Sequence, residues 1–503
     1  MGDHVRDAGA IRRFRQWAPN LQGLEAAWSE KGGVDRAVRG RVANAIRHQY
    51  ASSDCQINET ALASFAAGAA SFTTGHQLVP AGGPAFFHYK IWSAIRWARL
   101  FERRTGTPAV PIFWMASEDH DFEEIATLPA ALPDGRLGPA TWPFNPGGRV
   151  VGRLPADDSL LDWSTTWAEA AGWRAEDLAT WRDAVRGAKT LAEAMRRWVV
   201  ALYGAEGLLV IDGDDPALKA EAHRILEAEW SGNGIGGVVG KETLDLAQAG
   251  YPTPVHPRDN MLFLIGENGE RKRVLAVDLQ RPMPRPELLS PNALLRPLYQ
   301  ELLLSNLAMV GGATECAYWF QLRGAFAQHG LQMPVVMLRD SLTLLPEEAF
   351  AKTDWSPRLR GGHPNMLIDR WVAEEIRRRL GEQHPEGFEV LSEELAQRAR
   401  AVDPTLEAAA RASVKRMEKE WRRVQRKMRR AIRTQNQAEL TADLESWRWA
   451  APNGLPQERV GNLFQMVSAL TEEGTWRDLF EAFLAETDEE LEPVWLEGRW
   501  PKT

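Results

Sequence analysis

Apolar positions along the chain follow two different periods. Up to about residue 71 they recur at helical spacing, as in "GRVANAIRHQYASSD" and "NETALASFAAGAAS". A short strand is then predicted at Ser71 to Thr74, followed by a glycine-bearing loop from Gly75 to Gly83. Pro84 suits a first helical position, and Phe87, Ile91, Ala94, Ile95, Ala98 and Phe101 fall on one helical face that Gly106 ends. The unbroken apolar run Val110 to Ala116 fits a parallel strand buried on both faces. This strand, loop, helix, strand order predicts an α/β fold with a Rossmann-like parallel sheet, in which ligands sit beyond the carboxyl ends of the strands. A second unit of the same kind is predicted further on. Leu307 to Val310 reads as strand, Gly311-Gly312 as a tight turn, Glu315 to Gln328 as helix and Pro334 to Arg339 as strand.

These patterns divide the chain into five segments. Residues 1–130 and 286–375 read as the two halves of the core. Residues 131–285 read as inserted connecting segments, with helical "WRDAVRGAKTLAEAMRRWVVALYG", the strand "GLLVIDGDD" and a hairpin turning at Asn268-Gly269. In 376–450, Val414, Met417, Trp421, Val424, Met428 and Ala431 alternate steps of three and four, the seam of a helical coiled coil. The seam is short, which favours an antiparallel pair with another helix. Residues 451–503 return to the core through "PNGLPQERVGN".

Composition narrows the function. The 503 residues are 44% hydrophobic with a net charge of -8, which excludes binding of polyanions by bulk charge. The basic run Arg411 to Arg433 reads as the solvated flank of the coiled coil, with only Trp421 for stacking, so no nucleic acid partner is expected. Two cysteines, Cys55 and Cys316, suit a reducing compartment. The start "MGDHVRDAGAIRRFRQW" shows no secretory pattern, and no run of about 18 apolar residues suggests a membrane span. A cytoplasmic protein is expected.

Candidate chemistry collects at the strand ends. In Thr74-Gly75-His76-Gln77, backbone amides would hold a phosphate or carboxylate and His76 would donate or pass a proton; the plain alternative is a βα turn with a surface histidine. In Glu118-Asp119-His120-Asp121, a carboxylate would orient the imidazole, bind an amine or hold a divalent ion; the alternative is a helix-capping acidic cluster. No cysteine or second histidine lies at ligand spacing there, so no metal site is assigned. Gly311-Gly312, with Glu315, Tyr318 and Asn306, forms a second turn facing the same cleft, and Arg339 ends a strand where it would meet an anion.

The segments "TTGHQ", "GGPAFFHYKIWSAI", "VPIFWMASEDHDFEEI", "SPNALLRPLYQELLLSNLAMVGGATECAYW", "MPVVMLRDS" and "PNGLPQERVGN", in that order, resemble the bacillithiol biosynthesis cysteine-adding enzymes, the BshC cysteine ligase family. The chain departs from that pattern at Ser305 and Cys316. The resemblance implies a core similar to class I aminoacyl-tRNA synthetases and nucleotidyltransferases, inserted connecting segments, and a coiled coil supporting a homodimer. It implies the last step of bacillithiol synthesis, joining the cysteine carboxyl to the amine of glucosaminyl-malate. A free carboxyl needs activation before it forms an amide, so ATP is the expected activator on chemical grounds, with magnesium as its candidate companion. On that reading His76, Asp119, His120 and Asp121 are catalytic, with His120 as base. Thr74, Gln77, Glu118, Asn306, Glu315, Tyr318 and Arg339 bind substrates, with Arg339 on a malate carboxylate. Gly75, Gly82, Gly83, Gly311 and Gly312 hold the cofactor. Two other classes stay open: a non-catalytic nucleotide-binding coiled-coil partner, and a metal-assisted hydrolase using the acidic cluster.

Overall fold

The computed structural model describes residues 4, 7, 9–128, 139–345, 377–378, 386–435, 455–487, 490 and 495–499. The chain divides into two compact units, residues 1–344 with 458–503, and residues 345–457. The expected boundaries near 130, 375 and 450 lie outside the described residues.

The first unit opens with helices Leu21–Lys31, Arg36–Ser52 and Glu59–Ala67, each started by an Asn or Asp side chain that accepts backbone N–H groups. The central strand β1 (Ala70–His76) follows. It runs two residues further than the apolar pattern suggests, so Gly75 and His76 sit in the sheet opposite Trp114 and Met115 rather than in a loop. Helix α1 (Phe86–Thr105) is buried on nearly every side and ends on Gly106 at φ 69. Strand β2 (Ala109–Met115) returns parallel to β1.

Strand β3 (Leu209–Asp212) pairs parallel with β2 and is an edge strand of the core sheet. It falls in the segment read above as inserted material. A four-residue apolar strand looks the same in a core as in an insertion; only its long-range register, Ile112 opposite Leu209, assigns it. The hairpin β4 (Leu262–Ile265) and β5 (Arg271–Arg273) turns through Gly269 at φ 81, as its Asn-Gly pair predicts. Strand β6 (Leu289–Pro291) joins β4, so the inserted sheet extends past residue 285.

Helix α2 (Arg296–Leu304) leads to β7 (Ala308–Gly311), α3 (Ala313–Trp319), α4 (Arg323–Gln328) and β8 (Val335–Leu338). The single helix expected over 315–328 is broken at Phe320 to Leu322, where the Gln321 and Leu322 N–H groups bond back three residues to Tyr318 and Trp319, and the Gln321 side-chain amide donates to Thr243 and the Val255 carbonyl. The five-stranded sheet has the order β8-β7-β1-β2-β3, with every pair parallel. Chain order reverses between β7 and β2 around β1, which puts the switch point of the sheet at the carboxyl end of β1, beside His76.

The second unit contains α5 (Glu386–Val402) and α6 (Glu407–Gln435), joined by a turn at Pro404–Leu406. Ion pairs Arg411–Glu393 and Arg400–Glu407 tie the two helices, the helical pair that the short seam predicts. Val414 is buried, whereas Met417 and Val424 each stay 44% exposed. Among the described residues no helix is long and apolar enough to cross a membrane.

Candidate active site

A cleft of about 450 Å³ opens at the carboxyl ends of β1 and β2. It brings together Gly75, His76, Gln77, Asp119, Asp121, Gly312, Glu315, Tyr318 and Arg339, nine residues that the sequence singles out. The other seven, Thr74, Gly82, Gly83, Glu118, His120, Asn306 and Gly311, do not line it.

The reasons are local. Thr74 points into the sheet, fully buried. Gly82 and Gly83 sit at φ 74 and 47, and added side chains would strike His88, Trp198 and Val79, so these glycines serve close packing and leave no room for a phosphate. Gly311 lies in β7, where its carbonyl accepts from the Arg339 backbone. Asn306 holds β1 and α2 in place through Thr73 and Glu301. Glu118 is buried and pairs with Lys219 at 2.8 Å, so its carboxylate is committed inside the protein rather than offered to a substrate ammonium.

His76 closes β1 against the rings of Phe86 and Phe87. Its Nδ1 is 3.0 Å from the Gln77 carbonyl, which only accepts, so the ring carries its proton there and Nε2 keeps a free lone pair. Burial, with help from the charge of Lys90, lowers its pKa to about 3, and the imidazole is neutral at pH 7. His76 therefore does not act as a resting cation.

The acidic turn is organised by a residue that sequence reasoning missed. Arg271 on β5 is buried and donates to Ser290 Oγ at 3.1 Å, to the Pro291 carbonyl at 2.9 Å and to His120 Nδ1 at 3.1 Å. A guanidinium only donates, so Nδ1 of His120 accepts and its proton is on Nε2. The nearest Asp119 carboxylate oxygen lies 3.7 Å from Nδ1, beyond hydrogen-bond reach, and instead accepts the His120 backbone N–H at 2.8 Å. The expected base, His120 oriented by Asp119 or Asp121, is not assembled through Asp119: Arg271 occupies Nδ1, and no hydrogen bond from Asp121 to the ring is present among the described residues. Burial pushes the Asp119 carboxyl up, but His120, Arg296 and Arg271 outweigh it and hold the group well below the usual carboxylate range. Ligand atoms of Asp119, His120 and Asp121 lie within 4.8 Å of one another. Arg271 sits against two of the three, so the trio does not fit a divalent ion, magnesium included.

Two cations on the cleft wall are already neutralised. Lys90, from the buried face of α1, donates to the Gly75 carbonyl at 2.9 Å and pairs with Glu315. Glu315 also accepts the Gly312 N–H at 2.8 Å, so this helix start is capped by the protein's own carboxylate and is not open to a phosphate. Arg339 is gripped by both oxygens of Glu458, one of them at 2.8 Å, which corrects its expected role on a malate carboxylate. Two other cleft cations, Arg296 and Arg459, make no ion pair among the described residues. The carboxylates of Asp121 and Glu124 are likewise without an ion pair there. Lys90, Arg271 and Arg296 all lie in ordinary amphipathic segments, and none carries a signal in the sequence.

Residues 3–340 match the family model "Bacillithiol biosynthesis BshC, N-terminal Rossmann-like domain", and residues 362–487 match "Bacillithiol biosynthesis BshC, C-terminal coiled-coil domain". A Cytophaga hutchinsonii protein named "Putative cysteine ligase BshC" is 28% identical over 497 residues, covering 92% of this chain and 90% of its own. Proteins of the same name from Flavobacterium johnsoniae and Flavobacterium psychrophilum are each 30% identical, covering 70% and 80% of this chain and 69% and 79% of their own.

Proposed function

Because the chain belongs to the BshC family of bacillithiol biosynthesis, we propose that it is a cysteine ligase acting in the last step of that synthesis, forming an amide between the cysteine carboxyl and the amine of glucosaminyl-malate. The observation that carries this reading is the two-signed cleft. Among the described residues, Arg296 and Arg459 carry positive charge, and Asp121 and Glu124 negative charge, that no direct ion pair holds, at the switch point of the sheet. Glucosaminyl-malate has the matching pattern, two carboxylates at one end and an amine at the other.

An amide does not form readily from a free carboxylate, because the leaving oxygen is poor. ATP, when bound, supplies the leaving group; the glycine turns at Gly82, Gly83 and Gly312 offer it no open cradle. The protein's own groups orient the amine and carry protons. Asp121 and Glu124 draw in the ammonium. His76 Nε2 is the unprotonated imidazole nitrogen at the cleft, and an anion bound beside it would offset Lys90 and raise its basicity. Exposed Met417 and Val424 on the coiled-coil seam favour a homodimer, in which a second copy would cover them.

The test is product formation by mass spectrometry with glucosaminyl-malate and cysteine, with and without ATP and magnesium. Bacillithiol is expected only with ATP. His76→Ala is expected to lose at least about 100-fold in rate while keeping its fold. A correctly folded dimer that makes no product in any mixture would sink the reading.

A further inference from the structure

Helix α2 presents an edge to the cleft whose polar side chains make no direct hydrogen bond or ion pair among the described residues. Arg296 and Gln300 lie four residues apart, on one face of the helix, and both line the cleft. Gln300 is only 7% exposed, and its amide has no hydrogen-bond partner among the described residues. Among the described residues the Arg296 guanidinium makes no direct ion pair, and its Nε is buried without a hydrogen-bond partner. Buried polar groups are nearly always paired, and leaving one unpaired costs stability. An Arg296 Nε sealed without a partner, next to a Gln300 amide that opens to the same cavity with no protein partner among the described residues, therefore marks groups kept for a ligand.

The chemistry of that ligand follows from the donors. A planar guanidinium fork matches a carboxylate bidentately, and the neighbouring carboxamide adds a further donor or reads an adjacent hydroxyl or ether oxygen. A nucleotide triphosphate asks for a cradle of backbone N–H groups. The turns that would supply one are packed shut at Gly82 and Gly83 and capped by Glu315 at Gly312.

We propose that Arg296 and Gln300 are the specificity-determining pair that reads a carboxylate of the dicarboxylate end of the amine substrate, with Arg296 making the charged contact. This rests on the ligase reading above and assigns its substrate selectivity to one helix edge.

The experiment is calorimetric binding to the full chain, which needs no turnover. The probes are glucosaminyl-malate, methyl glucosaminide, which keeps the sugar amine but lacks both carboxylates, and ADP. Arg296→Gln is expected to weaken glucosaminyl-malate by about 10- to 100-fold and to leave methyl glucosaminide unchanged. Arg296→Lys is expected to recover part of the loss, and Gln300→Leu to lose less than Arg296→Gln. The proposal is overturned if folded Arg296→Gln binds glucosaminyl-malate as the parent does, if it loses both sugars equally, or if it loses ADP and spares the diacid. The last result would make this edge a phosphate reader. If the parent itself does not bind glucosaminyl-malate, the ligase substrate assignment fails, and this inference with it.

Discussion

The two sides of the cleft differ in what their charges already hold. On the side built from α1, α3 and β8, Lys90 is paired with Glu315 and Arg339 with Glu458. On the α2 side, Arg296 and Gln300 make no direct ion pair or hydrogen bond among the described residues, and Arg296 acts on Asp119 only at longer range. By sequence alone the first side looks functional, because Glu315 and Arg339 follow the ends of strands. The structure shows that a cation beside a pocket can be part of the scaffold, and that the state of its partners separates support from recognition. The two sides should therefore respond oppositely to mutation, one in stability and the other in binding.

The largest effect is expected where a buried pair is broken. Glu458 also accepts from Ser341 at 2.6 Å, and the Arg339 side chain is 8% exposed. Glu458→Ala would leave a buried guanidinium uncompensated, costing about 3–5 kcal/mol of stability. Arg296→Gln removes no internal pair and is expected to change stability by no more than about 0.5 kcal/mol. Urea denaturation of both variants checks the contrast. Equal shifts in midpoint would erase the distinction between the two sides.

Acid should act on the paired side as well. His76 ends β1, and His88 on α1 is buried against Tyr203; burial lowers both to about 3 from an ordinary value of 6.5. Below pH 6.5 the unfolded chain binds protons that the folded chain refuses, so stability falls as pH drops from 6.5 toward 3. Each such histidine contributes a slope of about 1.4 kcal/mol per pH unit. His88→Gln is expected to remove one histidine's share of that slope. An unchanged slope would show that His88 is protonated in the folded protein.

How far the sequence reaches depends on the range of the interaction involved. The segment from β1 through α1 to β2 is legible because its information is local: an apolar run, a helical face and Gly106 at the helix end. His76, Asp119 and Glu315 follow, since a strand end in such a sheet is a place for ligands. Strand β3 is not legible as a core strand, because four apolar residues do not carry their register. The partner of Arg339 lies 119 residues downstream, and the residue holding His120 lies 151 away in a hairpin that reads as ordinary inserted chain. Those distances explain why the sequence points to His120 as a base and to Arg339 as an anion site. The residue types were sound candidates, but the partners that set their chemistry are brought in by the fold.

The smallest expected effect tests the unpaired side from within. Arg459 is exposed and lies over the Phe86 ring at 5.9 Å, whereas the Nε of Arg296 is buried. An exposed charge attracts an anion through high-dielectric solvent and is screened by salt, with a Debye length of about 8 Å at physiological ionic strength. Arg459→Gln should therefore weaken glucosaminyl-malate by less than about tenfold, and the deficit should shrink as salt is raised. The deficit of Arg296→Gln should persist in salt, because a partly desolvated contact is screened much less. Titrating both variants at low and high salt separates the two roles. If Arg459→Gln proved the more damaging and the less salt-sensitive, the buried edge of α2 would lose its claim to read the carboxylate, and that contact would pass to Arg459.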